Sequence, residues 1–168
     1  MDVYMAMVYF HAYMYGPLQG KVRLYKDRGI PARVAMSEDW EVFASILVRD
    51  TGTSTPSGLD LEGYEVKSAK DRGAFEYQYH KNSWKQKLDA DRKAGHIFIS
   101  HRDDLRHVDV RYCEGNQLLE FFDLWESEEP YSRPGTQRFR RSIPYGWVEQ
   151  NASLILRIED GEPTVQQD

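Results

Sequence analysis

The sequence predicts a mixed α/β domain in which helices flank a mixed central β-sheet. Helical patterns occupy the first 50 residues, and a block of strand patterns begins near residue 59, with further helices among the later strands. This order of helices, then strands, then mixed elements is typical of a layered α/β arrangement. A chain of 168 residues is long enough for one domain with a substantial core.

Three helices are predicted before the first strand. Residues 3–15 are dense in apolar side chains, and Gly16-Pro17 should end this helix. Residues 19–28 form a second helical pattern, closed by Gly29 and Pro31. Ser37, a hydroxyl N-cap followed by acids, starts the third helix, whose apolar residues lie at helical spacing: Trp40, Phe43, Ala44 and Leu47. The turn residues of 51–58 predict a loop.

The second half of the chain alternates strand and helix patterns. Short strands are predicted at 59–61 and 64–69 around the turn Glu62-Gly63, and another at 75–79. The remaining predicted elements are a polar helix at 82–94, a hairpin of 96–100 and 106–112, a helix at 115–127, an irregular segment at 128–142, and a short helix or turn followed by a strand within 143–158. Residues 1–158 are therefore expected to form a single domain, and 159–168 an acidic flexible tail.

Composition excludes several classes of protein. No stretch approaches the ~20 apolar residues of a membrane span, and the N-terminus lacks the basic region of a signal peptide. The single Cys113 excludes an internal disulfide and a cysteine-based zinc cluster. His96, His101 and His107 surround one hairpin but are interpreted as surface or satisfied polar residues, not as a metal cluster. We expect a cytoplasmic protein without a membrane partner.

The formal net charge of −5 hides local basic segments. Residues 159–168 contain four acids, so the rest of the chain carries only −1. Residues 64–93 have eight Lys and Arg against five Asp and Glu, and residues 133–141 have four arginines and no acid: Arg133, Arg138, Arg140 and Arg141. Nucleic-acid binding requires a local basic face, not a basic total.

The segment GLDLEGYEVKS, residues 58–68, concentrates two acids and a lysine around one turn. Alternation along a strand places Glu65 and Lys67 on one face and Val66 on the other. Asp60, at the start of the neighbouring arm, can bring its carboxylate to Glu65. Two carboxylates with open positions for water and phosphate favour a Mg²⁺ site, to which the carbonyl of Val66 would add a ligand. Such a metal polarises a phosphoryl oxygen and lowers the pKa of an attacking water, which Lys67 could orient or deprotonate.

This segment resembles the PD-(D/E)xK nuclease signature, and further motifs resemble the PvuII group of type II restriction endonucleases. In order along the chain these motifs are YEVKS (64–68), FEYQYHKN (75–82), HIFIS (96–100), LLEFFDLW (118–125) and IPYGWVEQNA (143–152). The similarity covers about residues 58–152, with a weaker part upstream around 28–58. It implies a restriction-endonuclease-like sheet, Mg²⁺ as the cofactor, residues 58–113 as the catalytic and DNA-reading strands, and membership of a restriction–modification system.

Two departures from the family pattern leave alternatives open. Asp60 lies closer to Glu65 than the corresponding pair in the family, so Asp50 remains a second candidate for the first carboxylate. The paired histidines of the family's reading strand are replaced by Gln78-Tyr79-His80, so the recognised DNA sequence is expected to differ.

The predicted DNA contacts fall into two groups. The candidate base readers follow the catalytic strand: Gln78, His80, Lys81 and Asn82. The candidate phosphate contacts are Arg138, Arg140 and Arg141. The aromatic-rich segment 1–30 is expected to form a homodimer interface, since cutting both strands of a palindrome requires two active sites. The alternatives are a repair or junction nuclease with the same catalytic residues, and a non-catalytic DNA-binding module.

Overall fold

A computed structural model describes residues 1–28, 37–53, 58–128 and 137–165. Within these ranges the chain forms six α-helices and seven strands. The helices are α1 (Val3–Tyr9), α2 (Gly16–Asp27), α3 (Ser37–Val48), α4 (Trp84–Asp91), α5 (Leu119–Ser127) and α6 (Tyr145–Asn151). The strands are β1 (Tyr64–Lys70), β2 (Phe75–His80), β3 (Gly95–His101), β4 (His107–Glu114), β5 (Arg138–Ile143), β6 (Ser153–Glu159) and β7 (Glu162–Val165).

Five strands form a mixed sheet in the order β1-β3-β4-β6-β7. β1 runs parallel to β3, and the other neighbours are antiparallel. β2 and β5 form a separate two-stranded antiparallel ribbon. The prediction of a mixed α/β domain with helices flanking a mixed sheet is therefore confirmed, as is the hairpin formed by β3 and β4.

Two apolar clusters cover opposite faces of the sheet. Ile97 and Ile99 of β3 pack with α1, α2 and α3, whereas Phe98 packs with the ribbon, α4, α5 and α6. Every residue of β3 is buried, including the polar His96, Ser100 and His101 that flank its apolar centre. Burying one large apolar side chain contributes about 1.5–3 kcal/mol, so these clusters fix β3 in the centre of the molecule, with β1 paired beside it.

The N-terminal helix does not end at Gly16-Pro17 as predicted. A π-helical segment, Phe10–Tyr15, joins α1 to α2, and the Gly16 N–H donates to the carbonyl of His11. A Cβ at residue 16 would lie 2.6 Å from that carbonyl oxygen, so the close approach requires glycine. Pro17 lies in the first turn of α2 and cannot donate a helical hydrogen bond, and the change from π-helical to α-helical turns falls at this point. The predicted end signals at Gly29 and Pro31 lie outside the described residues.

Three further segments differ from their predictions. Residues 59–61 form no strand, and Leu61 makes only an isolated bridge to Gly52. Residues 138–142, predicted to be irregular, form β5 together with Ile143, and inward and outward side chains alternate along the strand. Residues 162–165, expected in a flexible tail, form β7 against β6 after a turn in which Gly161 has φ 91°. Residues 166–168 lie outside the described part of the chain.

The described helices include none that combines the length and apolar character needed to cross a membrane.

Candidate active site

β1 presents Glu65 and Lys67 on the face of the sheet that carries the ribbon, α4 and α5, and Val66 on the opposite face. This is the alternation that the sequence predicts. Asp60 approaches from the turn before β1, where its Oδ2 accepts the Val66 N–H at 2.9 Å. That hydrogen bond fixes the Asp60 carboxylate beside the strand, even though residues 59–61 are not themselves a strand.

Three oxygen atoms converge on the ammonium of Lys67. Its Nζ lies 2.5 Å from Glu65 Oε1, 3.2 Å from the Val66 carbonyl oxygen and 3.4 Å from Asp60 Oδ2. These are the three groups that the sequence predicts as metal ligands. The geometry therefore brings the predicted ligand set to a single point, and in this arrangement the positive charge at that point belongs to Lys67.

Asp50, the alternative first carboxylate, lies apart from this cluster. Its Oδ1 accepts the Thr51 N–H at 2.8 Å and its Oδ2 accepts the Gly63 N–H at 2.8 Å. The bond from Gly63 ties the end of α3 to the turn before β1, and the bond from Thr51 is local to the end of the helix. Asp50 thus holds backbone in place, and Asp60 is the acid that reaches Glu65 and Lys67.

Burial and mutual attraction set the charges of the cluster. Burial and the neighbouring Glu65 raise the pKa of Asp60, although Lys67 opposes the shift. Burial alone would raise the pKa of Glu65, but the ammonium groups of Lys67 and Lys87 lower it below its usual value. Burial opposes the charge of Lys67, yet the Glu65 and Asp60 carboxylates outweigh it and raise the pKa of Lys67. Glu65 and Lys67 therefore stay ionised at neutral pH.

A buried polar network extends from Glu65 into α4. Glu65 Oε2 lies 2.8 Å from Lys87 Nζ, and Lys87 lies 2.9 Å from Asp91 Oδ1. The hydroxyl of Tyr79 donates to Asp91 Oδ2 at 2.8 Å. Sequence analysis missed Lys87 and Asp91, since they belong to a polar helix that reads as solvent-exposed; their i,i+4 spacing is the one local signal that they form a pair.

The cluster lies in a cleft of about 720 Å³ between α3, β1, α4 and the ribbon. This volume lies within the ordinary range of binding sites, but the lining is polar and carries both signs of charge. The predicted site residues that line it are Asp60, Glu65, Val66, Lys67, Gln78, His80 and Arg138. The predicted catalytic cluster and part of the predicted DNA-binding set therefore share one cleft.

The register of the ribbon decides which predicted DNA contacts share a face. Gln78 lies opposite Arg140 and His80 lies opposite Arg138, so these four side chains emerge on the exposed face. Arg141 lies opposite the buried Tyr77. The Arg141 guanidinium contacts Glu128 at 3.3 Å and lies over the ring of Phe139, and its Nη1 donates to the backbone carbonyl of Arg140 at 3.3 Å.

Lys81 and Asn82 follow β2 in the turn that leads to α4 and are not among the residues that line the cleft. The N–H of Asn82 contacts His80 Nδ1 at 3.3 Å, and His80 Nε2 lies 3.2 Å from Gln137 Oε1. These bonds fix the end of the ribbon. Arg133, the remaining member of the arginine segment, lies outside the described residues.

A further acid that the sequence did not indicate lies in the cleft. Glu41 of α3 lines it beside the buried Trp40. Burial and the nearby Asp60 carboxylate raise the pKa of Glu41. The position of Glu41 at the edge of the apolar stripe of α3 is only a weak sequence signal for a site residue, because acids are also typical of the first turn of a helix.

The donor atoms fit a hard divalent cation. Mg²⁺ binds carboxylate and carbonyl oxygens and keeps several waters, and two carboxylates with one carbonyl supply such a set beside an open cleft. Among the described residues, no group of three or more His, Cys, Asp or Glu side chains has a metal-binding arrangement. The candidate ligand set consists of two carboxylates and one backbone carbonyl, those of Asp60, Glu65 and Val66.

No protein-family model matches the chain, and no curated protein is significantly similar to it.

Proposed function

We propose that the protein is a Mg²⁺-dependent, sequence-specific endonuclease for double-stranded DNA, with the catalytic arrangement of the PD-(D/E)xK nucleases and the architecture of a restriction endonuclease. The observation that supports this most strongly is the convergence of Asp60, Glu65 and the Val66 carbonyl on one point. That point lies in a cleft bounded by a ribbon with polar, base-compatible side chains on its outer face.

In this proposal Asp60, Glu65 and the Val66 carbonyl would hold the cation, and Lys67 serves as a fixed positive charge. A bound Mg²⁺ would supply Lewis-acid stabilisation of the charge that develops on the phosphoryl oxygens. Lys67, with its raised pKa, is protonated at neutral pH and so donates hydrogen bonds to phosphate or to the attacking water. Glu65 is 1% exposed, and this exclusion of bulk water strengthens each of these electrostatic interactions.

The ribbon supplies the proposed DNA contacts. Gln78 and His80 are hydrogen-bonding side chains of the kind that read base edges in the major groove, which admits a two-stranded β-ribbon. Arg138 and Arg140, on the same face, contact phosphates and set the register of the DNA without reading its sequence. Lys81 and Asn82, in the turn after β2, extend this surface beyond the cleft. Arg141 faces away from it.

An exposed apolar stripe on the N-terminal helix supports a homodimer. Tyr4 is 77% exposed and Tyr13 is 69% exposed, and the neighbouring exposed apolar residues are Met1, Met5 and Val8. The opposite side of the same helix is buried in the core: Ala6, Met7, Phe10, Met14 and Leu18. Exposed apolar patches on proteins usually mark interaction sites, and a two-fold partner would supply the second active site that a double-strand cut requires.

Plasmid digestion tests the proposal. The purified protein with Mg²⁺ should convert supercoiled plasmid to discrete linear fragments, and a chelator should stop the reaction. A smear, or a preference for branched substrates, would indicate a repair or junction nuclease. Binding to DNA without cleavage in either Mg²⁺ or Mn²⁺ would indicate a non-catalytic DNA-binding module and would overturn the proposal.

A further inference from the structure

The two oxygens of Glu65 have different partners. Oε1 faces Lys67 at 2.5 Å, within the cluster of candidate metal ligands, whereas Oε2 faces Lys87 at 2.8 Å. The carboxylate is almost fully buried, so it cannot exchange either partner for bulk water. Lys87 therefore occupies the oxygen of Glu65 that points away from the candidate metal ligands.

A second set of buried contacts, centred on Asp91, holds Lys87 in place. Asp91, one helical turn later in α4, binds Lys87 Nζ through Oδ1 at 2.9 Å. The Tyr79 hydroxyl donates to the other oxygen of Asp91 at 2.8 Å, and His96 Nε2 donates to the backbone carbonyl of Asp91 at 2.8 Å. Asp91 and His96 are fully buried. Buried polar contacts of this kind restrict the arrangement of their members, so Asp91 limits the freedom of Lys87 to leave Glu65.

We propose that Lys87 is a positioning residue that makes Glu65 a one-oxygen ligand and thereby favours Mg²⁺ over Ca²⁺ at the site. The inference rests on the proposed metal-dependent function. Mg²⁺ demands a near-octahedral shell and binds few carboxylate oxygens, whereas Ca²⁺ takes six to eight oxygens and readily accepts both oxygens of one carboxylate. With Lys87 on Oε2, Glu65 can offer only Oε1, which satisfies Mg²⁺ and deprives Ca²⁺ of a ligand.

The variant that isolates this role changes two residues together. Lys87→Met alone would leave Asp91 as an uncompensated buried charge, which destabilises folded proteins strongly. In Lys87→Met with Asp91→Asn, methionine fills the space of the lysine stem, and the amide oxygen still accepts from the Tyr79 hydroxyl. The control is Lys85→Met, which removes an ammonium from the same helix where it lies over the ring of Trp84 and contacts no carboxylate of the cluster.

The experiment is calorimetric titration of the full chain with Mg²⁺ alone and with Ca²⁺ alone, without DNA. We expect the ratio of Ca²⁺ affinity to Mg²⁺ affinity to rise about tenfold in the double variant, the effect of one additional oxygen ligand for Ca²⁺, and to stay unchanged in Lys85→Met. Loss of a positive charge, or general loosening of the fold, changes both affinities by similar factors, so the ratio reports the geometry of Glu65.

An unchanged ratio in a double variant that remains folded by circular dichroism would overturn the inference and leave the proposed function standing. Asp60→Asn, made as a single change in the wild-type chain, is titrated in the same way. If its affinities for both ions equal those of the wild type, the ions bind elsewhere, and both proposals fail together.

Discussion

Lys67 Nζ lies 2.5 Å from Glu65 Oε1, although Val66 separates the two residues in β1. The contact follows from the two-residue period of a strand, which places both side chains on one face. Burial of the Glu65 carboxylate makes the pairing strong, because a charge removed from water needs a close partner of opposite sign. The ammonium thus lies among the same oxygens that a metal ion would bind.

Lys67→Met should abolish cleavage while leaving metal binding at least as strong as in the wild type. The substitution removes the charge proposed to stabilise the phosphate and, at the same time, a cation that competes for Asp60 and Glu65. Cleavage is followed on plasmid, and metal binding by calorimetry without DNA. Cleavage near the wild-type rate would exclude Lys67 from the reaction.

Gln78→Ala and His80→Ala should each weaken binding to the recognised sequence by about 1–3 kcal/mol per lost base contact. Their effect on random DNA should be small, because both side chains are proposed to contact bases and not phosphates. The recognised sequence is first obtained by sequencing the ends of cut DNA, and affinities then come from fluorescence anisotropy. If a substitution weakens binding to the recognised sequence and to random DNA equally, that residue contacts phosphates and not bases.

Arg138→Ala and Arg141→Ala form a matched pair that tests the face of the ribbon. Arg138 lies on the exposed face beside the cleft, so its loss should weaken binding to all sequences and reduce the salt dependence of affinity by about one counterion. Arg141 lies on the other face and contacts Glu128, so its loss should leave both quantities unchanged. A larger effect from Arg141 would mean that DNA approaches the opposite side of the ribbon.

His96 should make the stability of the fold depend on pH. Its Nε2–H donates to the Asp91 carbonyl, which leaves Nδ1 to accept from the Tyr77 hydroxyl. Burial lowers the pKa of His96 from 6.5 to about 4. Residue 96 therefore binds a proton more tightly in the unfolded chain than in the folded protein. The contribution of neutral His96 to the free energy of unfolding is fully present above pH 6.5, and about 3 kcal/mol of it is lost as the pH falls toward 4.

Urea denaturation of the wild type and of His96→Gln, measured from pH 7 to pH 4, isolates this effect. Burial and the nearby Glu65 raise the pKa of Asp91 to about 6, which gives a pH dependence of opposite sign. Both proteins retain Asp91, so its contribution cancels when the two profiles are subtracted. The variant should lose less stability than the wild type as the pH falls. Parallel profiles would show that His96 does not titrate as described.

Placing charges on the exposed stripe of the N-terminal helix should produce monomers. Tyr4→Glu with Tyr13→Glu alters two exposed side chains, whereas Tyr9 packs partly against the core and is a poorer site for a charge. Sedimentation should show a dimer for the wild type and a monomer for the variant, which should nick plasmid without linearising it. A wild-type monomer that makes double-strand cuts would contradict the proposed interface.

The geometry around Glu65 could be predicted from the sequence because it depends on local rules. The alternation of Glu65, Val66 and Lys67 follows from strand geometry, and a turn before the strand brings Asp60 close. The choice between Asp60 and Asp50 could not be made this way. It depends on hydrogen bonds from Val66 and Gly63 to the two carboxylates, which no local pattern reveals.

The parts that sequence reasoning missed depend on contacts between distant segments. Lys87 and Asp91 lie in a helix without a strong apolar stripe, and only their packing against Glu65 and Tyr79 makes them buried. The arginines of β5 obscure the alternation of Phe139 and Ile143 on its inner face, so the sequence predicts no strand there. Likewise, the continuation of the helix through Gly16 depends on a π-helical hydrogen bond that propensities do not describe.

Cleavage by Glu65→Gln, Asp60→Asn and Asp50→Asn under one set of Mg²⁺ conditions is the decisive comparison for the assignment of the active site. Each replacement keeps the size of the side chain and a hydrogen-bond acceptor while removing a carboxylate. We expect Glu65→Gln and Asp60→Asn to bind DNA as well as the wild type or more tightly, since a repulsive charge is gone, but not to cut it. Asp50→Asn should cut at close to the wild-type rate. Normal cleavage by Glu65→Gln, or loss of cleavage in Asp50→Asn with full activity in Asp60→Asn, would contradict the assignment of the active site.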